Sequence, residues 1–266
     1  MLSFKEISRF CITFIATLFS NLSKAQAEIT GATVEQPVSI PDKSIIPEPE
    51  QVEPKIKVYL DPGHHAGIVS NRSPEDDEGQ IFYEWESNLR FARDIQKAAE
   101  SAGFPTLITF PDAEVVTNSK ETLSQFSQRV YTVLNDDTSL VKVFLSLHSN
   151  ADGSTGVNVW GTASGLEIFI HPQIFEPSKR AAMMMTDALL RTLQHDTRDR
   201  SFKQGFKTDR DLYVLRKLTK ARITAMLIEF EFHDSKVGLK RLKDSSWRAR
   251  AVAGVIEGLK SINRWA

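Results

Sequence analysis

Between Ile56 and Ala266 five short apolar runs recur: IKVYL at 56–60, TLITF at 106–110, VKVFLSL at 141–147, LEIFI at 166–170 and TAMLIEF at 224–230. Each is apolar at consecutive rather than alternate positions, as a strand reads when helices cover both faces of its sheet. Helical stripes separate them: Leu89, Ala92, Ile95, Ala99 and Ala102; then Ala182, Met185, Leu189, Leu190 and Leu193; then Ala251, Val255, Leu259 and Ile262. Three- and four-residue spacing gathers each stripe on one helix face. Strands that alternate with helices pair through crossovers, so the expected fold is α/β: a single domain with a twisted, mainly parallel sheet flanked by helices on both faces. The cluster Met183-Met184-Met185 reads as core filling.

Ahead of this domain the composition changes twice. Residues 1–27 read as a signal peptide: Lys5 and Arg9 in the n-region, FCITFIATLF at 10–19 as the apolar run, and Ala25-Gln26-Ala27 as the exit. Residues 28–55 hold five prolines (37, 41, 47, 49, 54) and six acidic residues against two lysines, the composition of an extended, solvated linker. The chain's net charge of −1 is an average over these parts. The linker is acidic, and 56–266 carries 28 basic and 27 acidic side chains, which gives no nucleic-acid footprint. No apolar run reaches 18 residues, so no stable membrane anchor is expected once the signal is removed, and the expected location is the periplasm or the exterior. Cleavage after Ala27 removes Cys11, the single cysteine, so a metal site in the mature chain has to be built from histidine and carboxylate.

In open α/β sheets function gathers beyond the carboxyl ends of the strands. IKVYL runs into Asp61-Pro62-Gly63-His64-His65, VKVFLSL into His148-Ser149-Asn150, and TAMLIEF carries Glu229 inside it and continues to Glu231, His233 and Asp234. TLITF and LEIFI end in turn-like Pro111-Asp112 and His171-Pro172. One strand-end histidine is more often a satisfied core residue than a ligand. A glutamate inside AMLIEF is harder to dismiss, because an ionised carboxylate there needs a cation or a hydrogen-bond network. Glu84 opens the helix of Leu89 and Ala92, where a capping carboxylate is the ordinary reading. Two histidines and a glutamate would nevertheless make a three-ligand zinc site with an open position, and a further carboxylate would serve as general base.

The segments YLDPGHH, Glu84 to Asn88 (E-x-x-x-N), SLHSNA at 146–151, VLR at 214–216 and LIEFEF at 227–232 occur in one order along 56–266. As a set they resemble the zinc-dependent N-acetylmuramoyl-L-alanine amidases, the bacterial cell-wall and phage enzymes with D-P-G-H and S-x-H-x-N-A signatures. The resemblance implies about six strands, one Zn²⁺ held by His64, Glu84 and His148, and Glu229 as the catalytic glutamate. Glu84 is preferred to Glu86, because the family's glutamate stands eight residues before a small helix residue, here Ala92. It further implies peptidoglycan as substrate, cleaved between N-acetylmuramic acid and L-alanine. Asn150 and Arg216 also match, as supporting or substrate-contact residues.

Two positions depart from the family's pattern. His65 stands where a glycine is usual, as a loop histidine, a donor to a ligand residue, or a wall of the pocket. Glu231 replaces another glycine and, by strand alternation, points to the side of Glu229, so that two carboxylates share the mouth. Rival functions are a zinc carboxypeptidase or deacetylase on another cell-wall bond, and a non-catalytic peptidoglycan-binding or regulatory protein on the same fold. Since 56–266 has no recognisable wall-binding repeat, targeting falls to the domain, the linker, or a protein activator of unspecified identity.

Overall fold

A computed structural model describes residues 53–153, 158–194, 197, 199–200 and 204–266. The expected signal peptide, and the linker up to residue 52, lie outside the described residues. Among the described residues, regular structure begins where the β-like pattern does, with strand β1 (Ile56–Pro62). There follow helix α1 (Glu84–Ser101), β2 (Thr106–Ile108), α2 (Leu123–Leu134), β3 (Val141–Asn150), β4 (Glu167–Phe169) and α3 (Glu176–Leu193). The chain continues through α4 (Tyr213–Lys220), β5 (Thr224–Phe232), α5 (Lys236–Lys243) and α6 (Ser245–Trp265).

The sheet order is β2-β1-β3-β5-β4, with every pairing parallel except β4 against β5. The mainly parallel α/β layer fold is therefore as expected, but the described residues hold five strands rather than about six. The two runs with no site residue at their ends, TLITF and LEIFI, shrink to three-residue edge strands, and Phe110 packs instead with Leu89 and Ala113.

Consecutive apolar residues are explained by two cores, one on each face. Ile56, Val58 and Leu60 face the core shared with Phe91 of α1, Met185 of α3 and Leu259 of α6. Between them Tyr59 faces the opposite way, against Val130 and Val133 of α2 and Leu215 and Leu218 of α4. Phe91 and Phe230 stack nearly parallel with ring centroids 4.5 Å apart, fixing α1 on the end of β5. The three helical stripes lie on helices, except for Ala102, which is the C-cap of α1. Three further helices escaped the sequence reading: α2, α4 and α5. For α2 the signature was present, since Thr122 and Gln125 form a reciprocal capping box. No described helix is long and apolar enough to cross a membrane.

Helices α3 and α6 pack closely because Gly254 and Gly258 give room. A Cβ on Gly254 would lie against Thr192 Oγ1 and 3.1 Å from the Leu189 Cα, and one on Gly258 would lie 2.6 Å from the Met185 sulfur. Gly254→Ala gains about 1 kcal/mol of helix propensity, while overpacking a rigid backbone costs about 1–3 kcal/mol. Overpacking wins, and thermal unfolding should show Tm lowered by roughly 2–4 °C for each kcal/mol of net loss. An unchanged or raised Tm would mean that the helix pair relaxes freely.

Candidate active site

Register decides what meets at the carboxyl ends of the strands. Pro62 of β1 lies opposite Leu147 of β3, and His148 lies opposite Glu229 of β5. Gly63 then turns the chain beside the His148 ring; a Cβ at this position would be 2.1 Å from that ring, so only glycine fits. His64 follows with φ 65°, a left-handed backbone that costs a non-glycine residue of order 1–3 kcal/mol and persists only when its surroundings enforce it.

Glu84 is the first residue of α1, yet it does not cap the helix. Its buried carboxylate turns across to the strand ends, accepting from the Ser149 backbone N–H at 3.1 Å. It lies 3.1 Å from His148 Nδ1 and 3.3 Å from His64 Nε2. Asn88, one helical turn on, donates to the Gly63 carbonyl at 3.0 Å and to Glu84 at 3.4 Å, tying α1 to the turn. Glu86 pairs instead with Arg90 on the exposed face, 2.9 Å away.

The His64 and His148 rings meet edge-on with centroids 5.0 Å apart. One donor atom each from His64, Glu84 and His148 lies within 4.8 Å of the other two, a group able to hold a metal ion. The hydrogen-bond network fits that use. His64 Nδ1 lies 3.1 Å from Glu121 Oε2, which as a carboxylate only accepts, so Nδ1 carries the proton. Nε2 is thereby left to accept from the Asn71 amide, 2.8 Å away, on the side where Glu84 lies. A carboxylate on the far nitrogen of a ligand imidazole fixes tautomer and ring angle together.

Glu121 is itself held by Arg129 Nη2 at 2.9 Å. The same guanidinium, 2% exposed, donates to Asp61 at 2.7 Å, to the Pro62 carbonyl at 2.7 Å and to the His64 carbonyl at 3.2 Å. Asp61 also accepts from Ser146 and Thr109, at 2.7 and 3.1 Å. This scaffold enforces the left-handed His64.

Charge in the site follows burial and neighbours. Burial alone would raise Glu84, but the two imidazoles outweigh it and hold its carboxyl well below the usual range. Burial would likewise lower His148, yet its bond to Glu84 carries it up to about 9. Glu229 goes the other way: burial, with the charge of Glu84 adding, pushes it up to about 7 against the pull of His148, Arg210 and His64. Its Oε2 is buried with no hydrogen-bond partner, and Glu229 lies opposite His148 in the register.

His64, Glu84, His148 and Glu229 line one cavity of about 490 Å³, together with Asn71, Arg72, Asn150, Arg210, His233 and Asp234, among others. Of the substrate-contact candidates, only Asn150 is there, its amide tied to Glu167 at 2.9 Å. His65 is fully buried behind the loop near Phe110, accepting from the Gly67 N–H, and burial lowers its pKa. It is no wall of the cavity. Arg216 pairs with Asp211 at 2.5 Å over the Tyr213 ring, and Arg210 stands at the cavity in its place.

Glu231 does not share the mouth. Between His148 and Asn150 of β3, β5 advances from Glu229 to Phe232, one residue more than its partner. That bulge breaks the alternation. Glu231 is fully buried and bonded to Arg241 at 2.6 Å, the Gly165 N–H at 2.7 Å and Thr197 at 3.2 Å. Sequence reading also missed Glu121, Arg129, Asn71 and Glu167. The last had a signal, a carboxylate within the apolar run LEIFI; it anchors Arg200 and Lys207 at 3.1 and 2.8 Å.

Two imidazoles and a carboxylate, with a second buried carboxylate poised near neutrality, define a hydrolytic enzyme on a parallel α/β sheet. The sequence pattern of the N-acetylmuramoyl-L-alanine amidase family matches residues 58–261, and the chain belongs to that family. Solved structures of similar fold include an N-acetylmuramoyl-L-alanine amidase from Clostridium difficile 630 (19% identity, 77% of this chain and 95% of that one, TM-score 0.58). Others are the amidase AmiC2 of Nostoc punctiforme (17% identity, 78% and 96%, TM-score 0.57) and the CwlD amidase from Clostridioides difficile in complex with the GerS lipoprotein (19% identity, 79% and 99%, TM-score 0.59). At these identities the likeness is one of fold. No curated protein sequence matches the chain significantly.

Glu121→Gln replaces the acceptor that orients His64 with an amide of equal size. Divalent-metal affinity measured by titration calorimetry should fall about 10–100-fold, with far-ultraviolet circular dichroism unchanged. Undiminished affinity would show that His64 needs no such support.

Proposed function

We propose that the protein is a zinc-dependent peptidoglycan amidase that hydrolyses the bond between the lactyl group of N-acetylmuramic acid and the L-alanine of the stem peptide. The observation that carries this reading is the level arrangement of His64, Glu84 and His148 beside Glu229, inside the segment that matches the family. His64 Nε2, Glu84 and His148 Nδ1 would hold the ion. Zinc bound there supplies Lewis-acid chemistry, polarising a carbonyl and acidifying a water.

The chain's own groups do the rest. Glu229, with a pKa near 7, takes a proton from the attacking water and returns it to the departing alanine amine. Glu121 and Arg129 keep His64 in its working tautomer and angle. Asn150, braced by Glu167, offers polar contact to the substrate at the cavity wall. Export to the periplasm or the exterior belongs to the same reading, with residues 1–27 as signal peptide and 28–55 as acidic tether. The CwlD structure with its GerS lipoprotein supports a protein partner as targeting or activating factor.

Glu229→Gln should fold and take up zinc normally while release of stem peptides from peptidoglycan falls by about 10²–10⁴-fold. Full retained activity would remove Glu229 from the mechanism. His64→Ala and His148→Ala should each lose stoichiometric zinc by elemental analysis, and a full complement in either would refute that ligand. Mass spectrometry of digests by the zinc-loaded protein tests the bond itself. New free L-alanine amines with intact N-acetyl groups are expected, whereas deacetylated sugars or shortened stem peptides would assign a different hydrolase.

A further inference from the structure

Two cationic side chains line the cavity without an ion pair to a carboxylate among the described residues: Arg72, ahead of α1, and Arg210, ahead of α4, whose charge acts on Glu229 from a distance. The neighbouring basic groups are committed, Arg200 and Lys207 to Glu167, Arg216 to Asp211 and Arg241 to Glu231. Among the described residues Arg210 has no carboxylate partner. Its guanidinium rests 4.9 Å from the centroid of the Phe169 ring, which is itself buried in β4. Stacking on a fixed ring restrains a long side chain while leaving its fork of N–H donors free for a planar anion.

The position along the sheet is informative. Phe169 lies opposite Leu227, two residues before Glu229 on β5, and Leu227 and Leu212 line the same cavity as Arg210. Two residues of strand span about 6.6 Å. In a stem peptide the α-carboxylate of the second residue lies roughly 5–6 Å from the scissile nitrogen, one Cα–Cα step of 3.8 Å and a further bond away. The cavity itself carries Glu84, Glu229 and Asp234, so an anionic peptide entering it needs a cation to offset repulsion.

We propose that Arg210 forms a carboxylate subsite for the second residue of the stem peptide, so that the enzyme selects stems bearing a free α-carboxylate there (D-isoglutamate) over amidated ones (D-isoglutamine). The subsite rests on the amidase reading and adds a substrate class to it. Arg210 is a specificity residue: its planar donor fork pairs bidentately with a carboxylate and forfeits that pairing with a neutral amide.

The test uses the zinc-loaded full chain and two synthetic substrates, N-acetylmuramoyl-L-alanyl-D-isoglutamate and its isoglutamine counterpart, with kcat/KM measured for each. Wild type is expected to favour the acid by at least about tenfold, the scale of one charge-assisted pairing. Arg210→Gln should bring the ratio close to one, Arg210→Lys should keep part of it, and Arg72→Gln should keep most of it. Equal cleavage of both substrates by wild type, or an unaltered ratio in Arg210→Gln, overturns the subsite and leaves the amidase reading standing. A ratio abolished by Arg72→Gln alone moves the subsite away from Arg210 and equally overturns it. Cleavage of neither substrate by wild type overturns both.

Discussion

The guanidinium of Arg129 is the point at which the sheet is joined to the chemistry. Burying a cation costs several kcal/mol unless it is paired and hydrogen-bonded, and this one meets two carboxylates and two backbone carbonyls. Asp61 belongs to β1 and Arg129 to α2, while Glu121 precedes α2 and His64 ends the turn after β1. Two stretches of backbone, 61–64 and 121–129, are thereby fixed to one planar group. The strained φ of His64 persists because its carbonyl and its ring are both held by this unit, one by Arg129 directly and the other through Glu121.

Three glutamates around the site illustrate how environment assigns roles to identical side chains. Burial pushes all three towards the neutral form. For Glu84 two imidazoles reverse that push, and for Glu121 the contact with His64, aided by Arg129, does so. For Glu229 nothing reverses it fully, and it alone is left near neutrality. Separation of pKa values by neighbours is what would divide ligand, orienter and base in the proposed reaction.

Much of this was legible in the chain. The consecutive apolar runs gave the three-layer fold because each strand really does feed two cores, and the strand-end histidines and Glu229 fell level because parallel register set them so. Glu84 needed the set of motifs, since a helix-start carboxylate alone reads as a cap. Glu121 and Arg129 were opaque. They meet His64 across 57 and 65 residues of chain, and nothing local in KETLSQFSQR marks either as site-directed. Glu231 misled for a definite reason: alternation places it with Glu229 only in a regular strand, and pattern alone does not show an inserted residue. Of the readings of His65 the loop histidine stands, because its ring fits a closed space behind the loop.

The bulge in β5 has a consequence for how this segment can vary. One extra residue sends Glu229 towards the cavity and Glu231 into a buried contact with Arg241, so a difference of length, not of side-chain type, keeps two carboxylates out of each other's field. Were the pairing regular there, alternation would turn Glu231 to the side of Glu229 and orphan Arg241 at the same stroke. The strand end should therefore absorb many exchanges of residue but no change in their number, a constraint on spacing that no single side chain carries.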